Sequence, residues 1–145
     1  GDSGQDYLMN GELDIVMEFN GDIAQLMRDN PDIRFIVPEE GGYILVDSMV
    51  IPANSRNKDL AELFINFILD PQNGAILSNE IRYASPNVAS RPFLNADDLA
   101  DPVIYPSDEI QKRLFYQAFI DAQTNAMYAD IWEAFRQINP PLLSE

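Results

Sequence analysis

The chain has 145 residues, 46% of them hydrophobic, which is enough for one domain with its own core, so neither intrinsic disorder nor a disulfide-stapled miniature fold is needed to account for it. Lys and Arg total 9 against 24 Asp and Glu, a formal net charge of -15, so nucleic acid, whose phosphates call for basic clusters, is not an expected partner, whereas cations are attracted. Cys and His are both absent, which excludes thiol nucleophiles, zinc sites built on those residues, imidazole bases and Ser-His-Asp triads within this chain.

Gly1–Asp6 is polar and acidic rather than signal-like, and no apolar run approaches the length of about 18 residues that spans a membrane. That leaves a cytoplasmic chain, or one whose export signal lies outside this sequence. Asp6–Gly11 reads as the end of a helix closed by Asn10-Gly11, and Leu13–Phe19, with Ile15, Val16 and Met17, as a buried strand. Asn20-Gly21-Asp22 then forms a strand-to-helix corner, because Ile23, Leu26 and Met27 take up helical spacing. Ile33–Val37 is a short β-branched run stopped by Pro38. Glu39-Glu40-Gly41-Gly42 supplies a tight turn with glycine free to take positive φ, and its glutamates read as solvated. Gly42–Val46 and Ser48–Ile51 form a predicted strand pair with the acid Asp47 between them.

Asn57 is placed to cap a helix over Lys58–Leu69, with Leu60, Leu63, Phe64, Phe67 and Ile68 on one face. Asp70-Pro71 ends that helix and starts another running to about Asn79, since Asp caps well and Pro fits the first helical position. Between Tyr83 and Tyr105, Pro86, Pro92 and Pro102 allow at most short helical turns. Pro106-Ser107-Asp108-Glu109 opens a helix extending to Phe119 or so. The last helix carries Met127, Tyr128, Ile131, Trp132 and Phe135 at helical spacing, with Trp132 on the core face and Asn139-Pro140-Pro141 as its stop. Strands mixed with helices make this an α/β arrangement.

Several motifs in order resemble the polyamine-binding members of the periplasmic solute-binding proteins of bacterial ABC importers. Val37-Pro38-Glu39-Glu40-Gly41-Gly42 followed by Val46-Asp47-Ser48-Met49-Val50-Ile51-Pro52-Ala53-Asn54-Ser55-Arg56-Asn57-Lys58 is similar to that family's pattern of Pro, Glu-Gly-Gly, Asp, Ile-Pro and Asn-Lys. Met17–Asp22, Phe64–Pro71, Tyr83–Asn87 and Ile104-Tyr105-Pro106 match further family stretches, so the resemblance runs from about Asp6 to Phe135. It implies an α/β fold of the type II periplasmic-binding-protein kind, two lobes with ligand between them, of which this chain carries the C-terminal part. Residues 1–37 and 106–145 would be segments of the second lobe, 42–92 a segment of the first, and 38–41 and 93–105 the connections between lobes. The implied partners are a polyamine such as putrescine or spermidine, an ABC permease and the missing N-terminal half, and the implied location is periplasmic or membrane-anchored outside the cytoplasm.

A polyamine needs carboxylates at intervals and aromatic faces between them; an aromatic face stabilises a nearby cation by about 0.5–2 kcal/mol, and a carboxylate in a partly dry cleft gives a stronger charge-assisted bond. By the resemblance Asp47 grips an amine; its other reading is a turn aspartate bonding its own backbone. Asp22 matches an acid of putrescine binders or caps the helix at Ile23. Phe19 stands where the family usually has Trp and offers a ring face or packs in the core. Tyr83 matches a cleft-lining aromatic or is an ordinary amphipathic Tyr. Gln117 resembles a cleft glutamine of spermidine binders, while Leu45 stands where those binders tend to have Trp and cannot attract a cation. No cofactor, metal or catalytic residue is expected, because abundant carboxylates carry no weight for enzymology in a chain this acidic. Binding of another small cation or solute on the same fold, or a non-transport sensory or interaction module, are the alternative readings.

Overall fold

The structure, a computed structural model, describes residues 3–138. These form helices α1 (Ser3–Met9) and α2 (Asn20–Asp29), strand β1 (Gly42–Tyr43), helices α3 (Lys58–Leu69) and α4 (Pro71–Ile81), a 3-10 helix over Val88–Phe93, helices α5 (Ala96–Ala100) and α6 (Asp108–Gln111), strand β2 (Leu114–Phe115) and helix α7 (Ala122–Ile138). They fall into two units divided between Phe115 and Tyr116. Among the described residues no helix is long and apolar enough to cross a membrane.

Local signals set the helix ends of the first unit. Gly11 closes α1 at φ 71, and the N–H groups of Gly11 and Glu12 return to the carbonyls of Leu8 and Tyr7 at 3.2 and 2.8 Å. Asp70 caps α4, accepting from the backbone N–H groups of Gln72 and Asn73 at 3.0 and 3.2 Å, with Pro71 at the first helical position. Replacing Asp70 by Ala removes both acceptors, and the expected cost is about 1 kcal/mol of unfolding free energy, measurable as a lower denaturation midpoint. Asn57 precedes α3 as expected, but its side chain accepts no capping bond.

The core lies where α2 crosses α4 and the proline-broken chain beyond it. Ile23, Ala24, Ile33, Ala75 and Ile104 are buried there, while α4 also packs against α3 and the 3-10 helix. The strands β1 and β2 run parallel, Gly42 opposite Leu114 and Tyr43 opposite Phe115, with those two rings edge to face at 4.8 Å. The turn ahead of β1 closes through Gly41 N–H to the Pro38 carbonyl at 3.1 Å. Gly41 needs its φ of 106, and a Cβ there would lie 2.1 Å from the Arg113 carbonyl oxygen.

Three strand expectations are corrected. Leu13–Phe19 and Ser48–Ile51 are not strands, and Gly42–Val46 shrinks to two residues. Backbone N–H and C=O groups hold a strand only when a neighbouring ladder takes them. Among the described residues only β1 and β2 form one, and Ile15, Met17, Ile36 and Val50 are 77% exposed or more. Likewise α6 ends at Gln111, well before Phe119, because Lys112 and Arg113 turn the chain into β2.

In the second unit Asp121 accepts from the Thr124 backbone N–H at 2.8 Å ahead of α7, and its bonds to Thr124 hold its carboxyl below the usual range. The expected apolar face forms, yet no residue of α7 is buried. Trp132, expected in the core, is 60% exposed and stacks on Phe135 with centroids 5.7 Å apart, since this unit offers no second layer among its described residues. The stop at Asn139-Pro140-Pro141 lies outside the described residues.

Candidate functional site

Helix α2 begins at Asn20, three residues earlier than the apolar spacing indicates, so Asp22 sits inside its first turn rather than ahead of it and is not the cap. A carboxylate there lies by the positive end of the helix, a favourable place for it. Phe19 holds the position before the helix with extended backbone and is 55% exposed, which removes the core-packing reading and leaves an uncovered ring.

Tyr83 comes to the same place from α4. Its ring rests against Gly21 so closely that a Cβ on Gly21 would lie 2.2 Å from ring carbons Cδ2 and Cε2. Burial, above all, pushes the Tyr83 phenol up from 10.0 to about 12. The neighbouring Asp22 carboxylate adds to the shift, while the Asp22 backbone N–H opposes it. The negative charge of Asp47 acts on the same hydroxyl, raising its pKa further. Two carboxylates from separate stretches of chain, Asp22 foremost and Asp47 more weakly, thus act on the one phenol.

Because the folded state favours the neutral phenol, Tyr83 contributes stability that is fully present below the unfolded value of 10.0 and is lost as pH rises through about 12. Unfolding free energy should fall more steeply over that window in the wild type than in Tyr83→Phe, and equal slopes would contradict the assignment.

The setting of Asp47 differs from expectation. It lies on an exposed stretch without secondary structure instead of within an apolar strand pair, and Leu45 near it is 54% exposed. Gln117 stands on an exposed stretch of the second unit without secondary structure, ahead of α7. Among the described residues no group of three or more Asp or Glu could hold a metal ion.

Two residues of this region escape a reading of the sequence by motif. Gly21, read as part of a corner and of the Met17–Asp22 stretch but given no role, has no Cβ to keep the Tyr83 ring off the helix. Arg82 closes α4 in the left-handed conformation, φ 55 and ψ 32, where glycine is usual and another residue costs about 1–2 kcal/mol. Its guanidinium meets Asp98 at 3.1 Å and Asp101 at 3.0 Å and donates to the Ala24 carbonyl of α2. The available signal was a lone cation at a helix end, next to a candidate tyrosine, in a chain with few cations.

A family profile described as bacterial extracellular solute-binding protein matches residues 3–113. The chain belongs to that family. As a solute-binding protein it is 28% identical over 131 residues to the putrescine-binding periplasmic protein PotF of Escherichia coli, covering 86% of this chain and 35% of that one. It is 31% identical over 128 residues to the spermidine/putrescine-binding periplasmic protein of the same organism, covering 88% and 36%. The crystal structure of the spermidine/putrescine ABC transporter substrate-binding protein PotD from Streptococcus pneumoniae superposes on 61% of this chain and 27% of its own with TM-score 0.53 and 31% identity. The fold class is thus that of the type II periplasmic binding proteins, and the chain spans about a third of the length of the curated relatives it matches, 35% and 36%.

Proposed function

We propose that this solute-binding protein captures a polyamine outside the cytoplasm and presents it to an ABC permease, and that Asp22, Tyr83 and Asp47 form part of the binding cleft. The observation that carries this reading is the seating of the Tyr83 ring on the start of α2 beside Asp22, with the Asp47 charge acting on the same phenol. One ammonium group of the ligand sits between the carboxylates of Asp47 and Asp22. A carboxylate has about four lone-pair sites, so Asp22 can hold the Tyr83 hydroxyl and an ammonium together. The exposed ring of Phe19 covers methylenes and adds a cation–π face. The formal net charge of -15 draws polycations toward the cleft before any contact is made.

The names of the similar proteins support this ligand class. The remaining polypeptide would cover apolar side chains left bare on α3, where Leu60, Leu63, Phe64 and Phe67 are 57% exposed or more. Ligand favours lobe closure only through its higher affinity for the closed state. Nothing in the group requires turnover, and the role is binding.

Calorimetric titration of the complete polypeptide with putrescine, spermidine and an uncharged sugar tests the reading. Saturable heat with a polyamine alone is expected. Heat with the sugar alone would move the family assignment to another solute, and binding of a protein partner without any small-molecule response would favour a sensory module.

A further inference from the structure

We propose that Arg82 is a positioning residue of the cation site, holding the Tyr83 ring on Gly21 by tying the end of α4 to α2, without touching the ligand. The proposal rests on the polyamine reading for its effect on affinity and on geometry alone for its effect on Tyr83.

Two consecutive residues, Ile81 and Arg82, carry the tie to α2, and a third bond holds Tyr83 to α4 itself. The Ile81 carbonyl accepts from Gln25 Nε2 at 3.0 Å, Arg82 donates to the Ala24 carbonyl, and the Tyr83 carbonyl accepts from the Ser78 hydroxyl. Ala24 is one turn along α2 from Gly21, so a bond to its carbonyl fixes the height of Tyr83 against the helix start. The far side of the guanidinium is anchored by Asp98 and Asp101, whose side chains, like that of Arg82, are at most 20% exposed. Asp101 in turn accepts from the Val103 N–H at 2.9 Å, and the Val103 carbonyl accepts from Asn20 Nδ2 of α2 at 2.7 Å. The start of α2, the end of α4 and the chain around residue 101 thus close a ring of bonds around the residues that carry Tyr83 and Asp22.

A permanent cation next to a cation site is an odd choice unless its charge is neutralised, and two carboxylates neutralise it here. The sign of the mutant effect follows from this. Arg82→Gln frees two negative charges close to the ligand, so electrostatics alone would tighten polycation binding. Loss of positioning would weaken it, because the phenol would leave Asp22 and Gly21.

The test uses the complete polypeptide with putrescine and spermidine as probes. Arg82→Gln should weaken binding at least about tenfold, and in a Tyr83→Ala background the same change should cost little further, since groups acting through one another are not additive. Independently of any ligand, the nuclear Overhauser contact between the Gly21 α-protons and the Tyr83 ring should vanish in Arg82→Gln, and Arg82→Lys, lacking the guanidinium fork, should not restore it. Tighter binding in Arg82→Gln, an equal loss in both backgrounds, or a Gly21–Tyr83 contact that survives would each overturn the proposal. If the wild type binds neither polyamine, the ligand reading falls, and the Overhauser contact still decides the role of Arg82.

Discussion

Gly21→Ala is expected to destabilise the protein by about 1–2 kcal/mol and to abolish the tight seating of Tyr83, although it is the kind of change that usually helps a helix. Within a helix Ala is preferred over Gly by about 1 kcal/mol, and Gly21 lies in α2 without a positive φ that would demand glycine. The opposing effect is steric. A Cβ would stand 2.2 Å from two ring carbons of Tyr83 and 2.5 Å from a third, whereas carbon atoms rest at about 3.5–4.0 Å. The ring has to retreat by more than an ångström. Its own carbonyl is held by the Ser78 hydroxyl and its neighbour Arg82 is fixed to Ala24, so retreat strains bonds that helix propensity does not replace. Overpacking costs about 1–3 kcal/mol, and a clash with three ring carbons belongs to the upper part of that range, which leaves a net loss after the propensity gain of about 1 kcal/mol. Chemical denaturation of Gly21→Ala and of the double variant with Tyr83→Ala separates the two effects. The single variant should unfold earlier than wild type, and in the Tyr83→Ala background the added methyl should be neutral or stabilising. A Gly21→Ala protein as stable as wild type would mean that the ring does not rest there.

The contrast between Gly21 and Asp70 shows what was legible in the residues. Asp70-Pro71 works through bonds to its own next three residues, so its pattern reads directly as a helix start, as do the closing Asn10-Gly11 and the glycine turn after Pro38. The stretches Leu13–Phe19 and Ser48–Ile51 have the composition of strands, but a strand is a property of a pair, and their partners are not among the described residues. The apolar stripes of α3 and α7 were legible as helices and misleading as core, since amphipathicity states which face wants cover and not what supplies it. The site shows the same division. Asp22, Asp47 and Tyr83 were named through family motifs, and periodicity had no means of bringing them together. Gly21 and Arg82 act only through tertiary contacts and leave almost no local trace; the left-handed backbone at Arg82 violates the glycine preference of a helix end for the sake of bonds to residues far along the chain.

Asp47→Asn is expected to weaken polyamine binding by the complete polypeptide about tenfold or more, and the size of that loss reports whether the cleft closes. Asp47 is exposed here, and an exposed ion pair contributes only about 0–1 kcal/mol, under tenfold in affinity. A hydrogen bond to a charged group shielded from water contributes about 1.5–3 kcal/mol, or roughly ten- to a hundredfold. A loss beyond tenfold therefore requires that ligand-bound Asp47 be covered by another surface, as lobe closure would do. Salt gives a second handle. Interactions of exposed charges fade once the Debye length falls to about 8 Å near physiological ionic strength, whereas a covered pair is screened much less. The ratio of wild-type to Asp47→Asn affinity should then change little between low and physiological salt, even as both affinities fall through weaker long-range attraction. Without ligand, removing the Asp47 charge should also lower the Tyr83 phenol from about 12, because an anion near a phenol disfavours the phenolate. An affinity loss below about fivefold that vanishes with salt would leave Asp47 as a distant contributor to the field and transfer the anchoring role to Asp22.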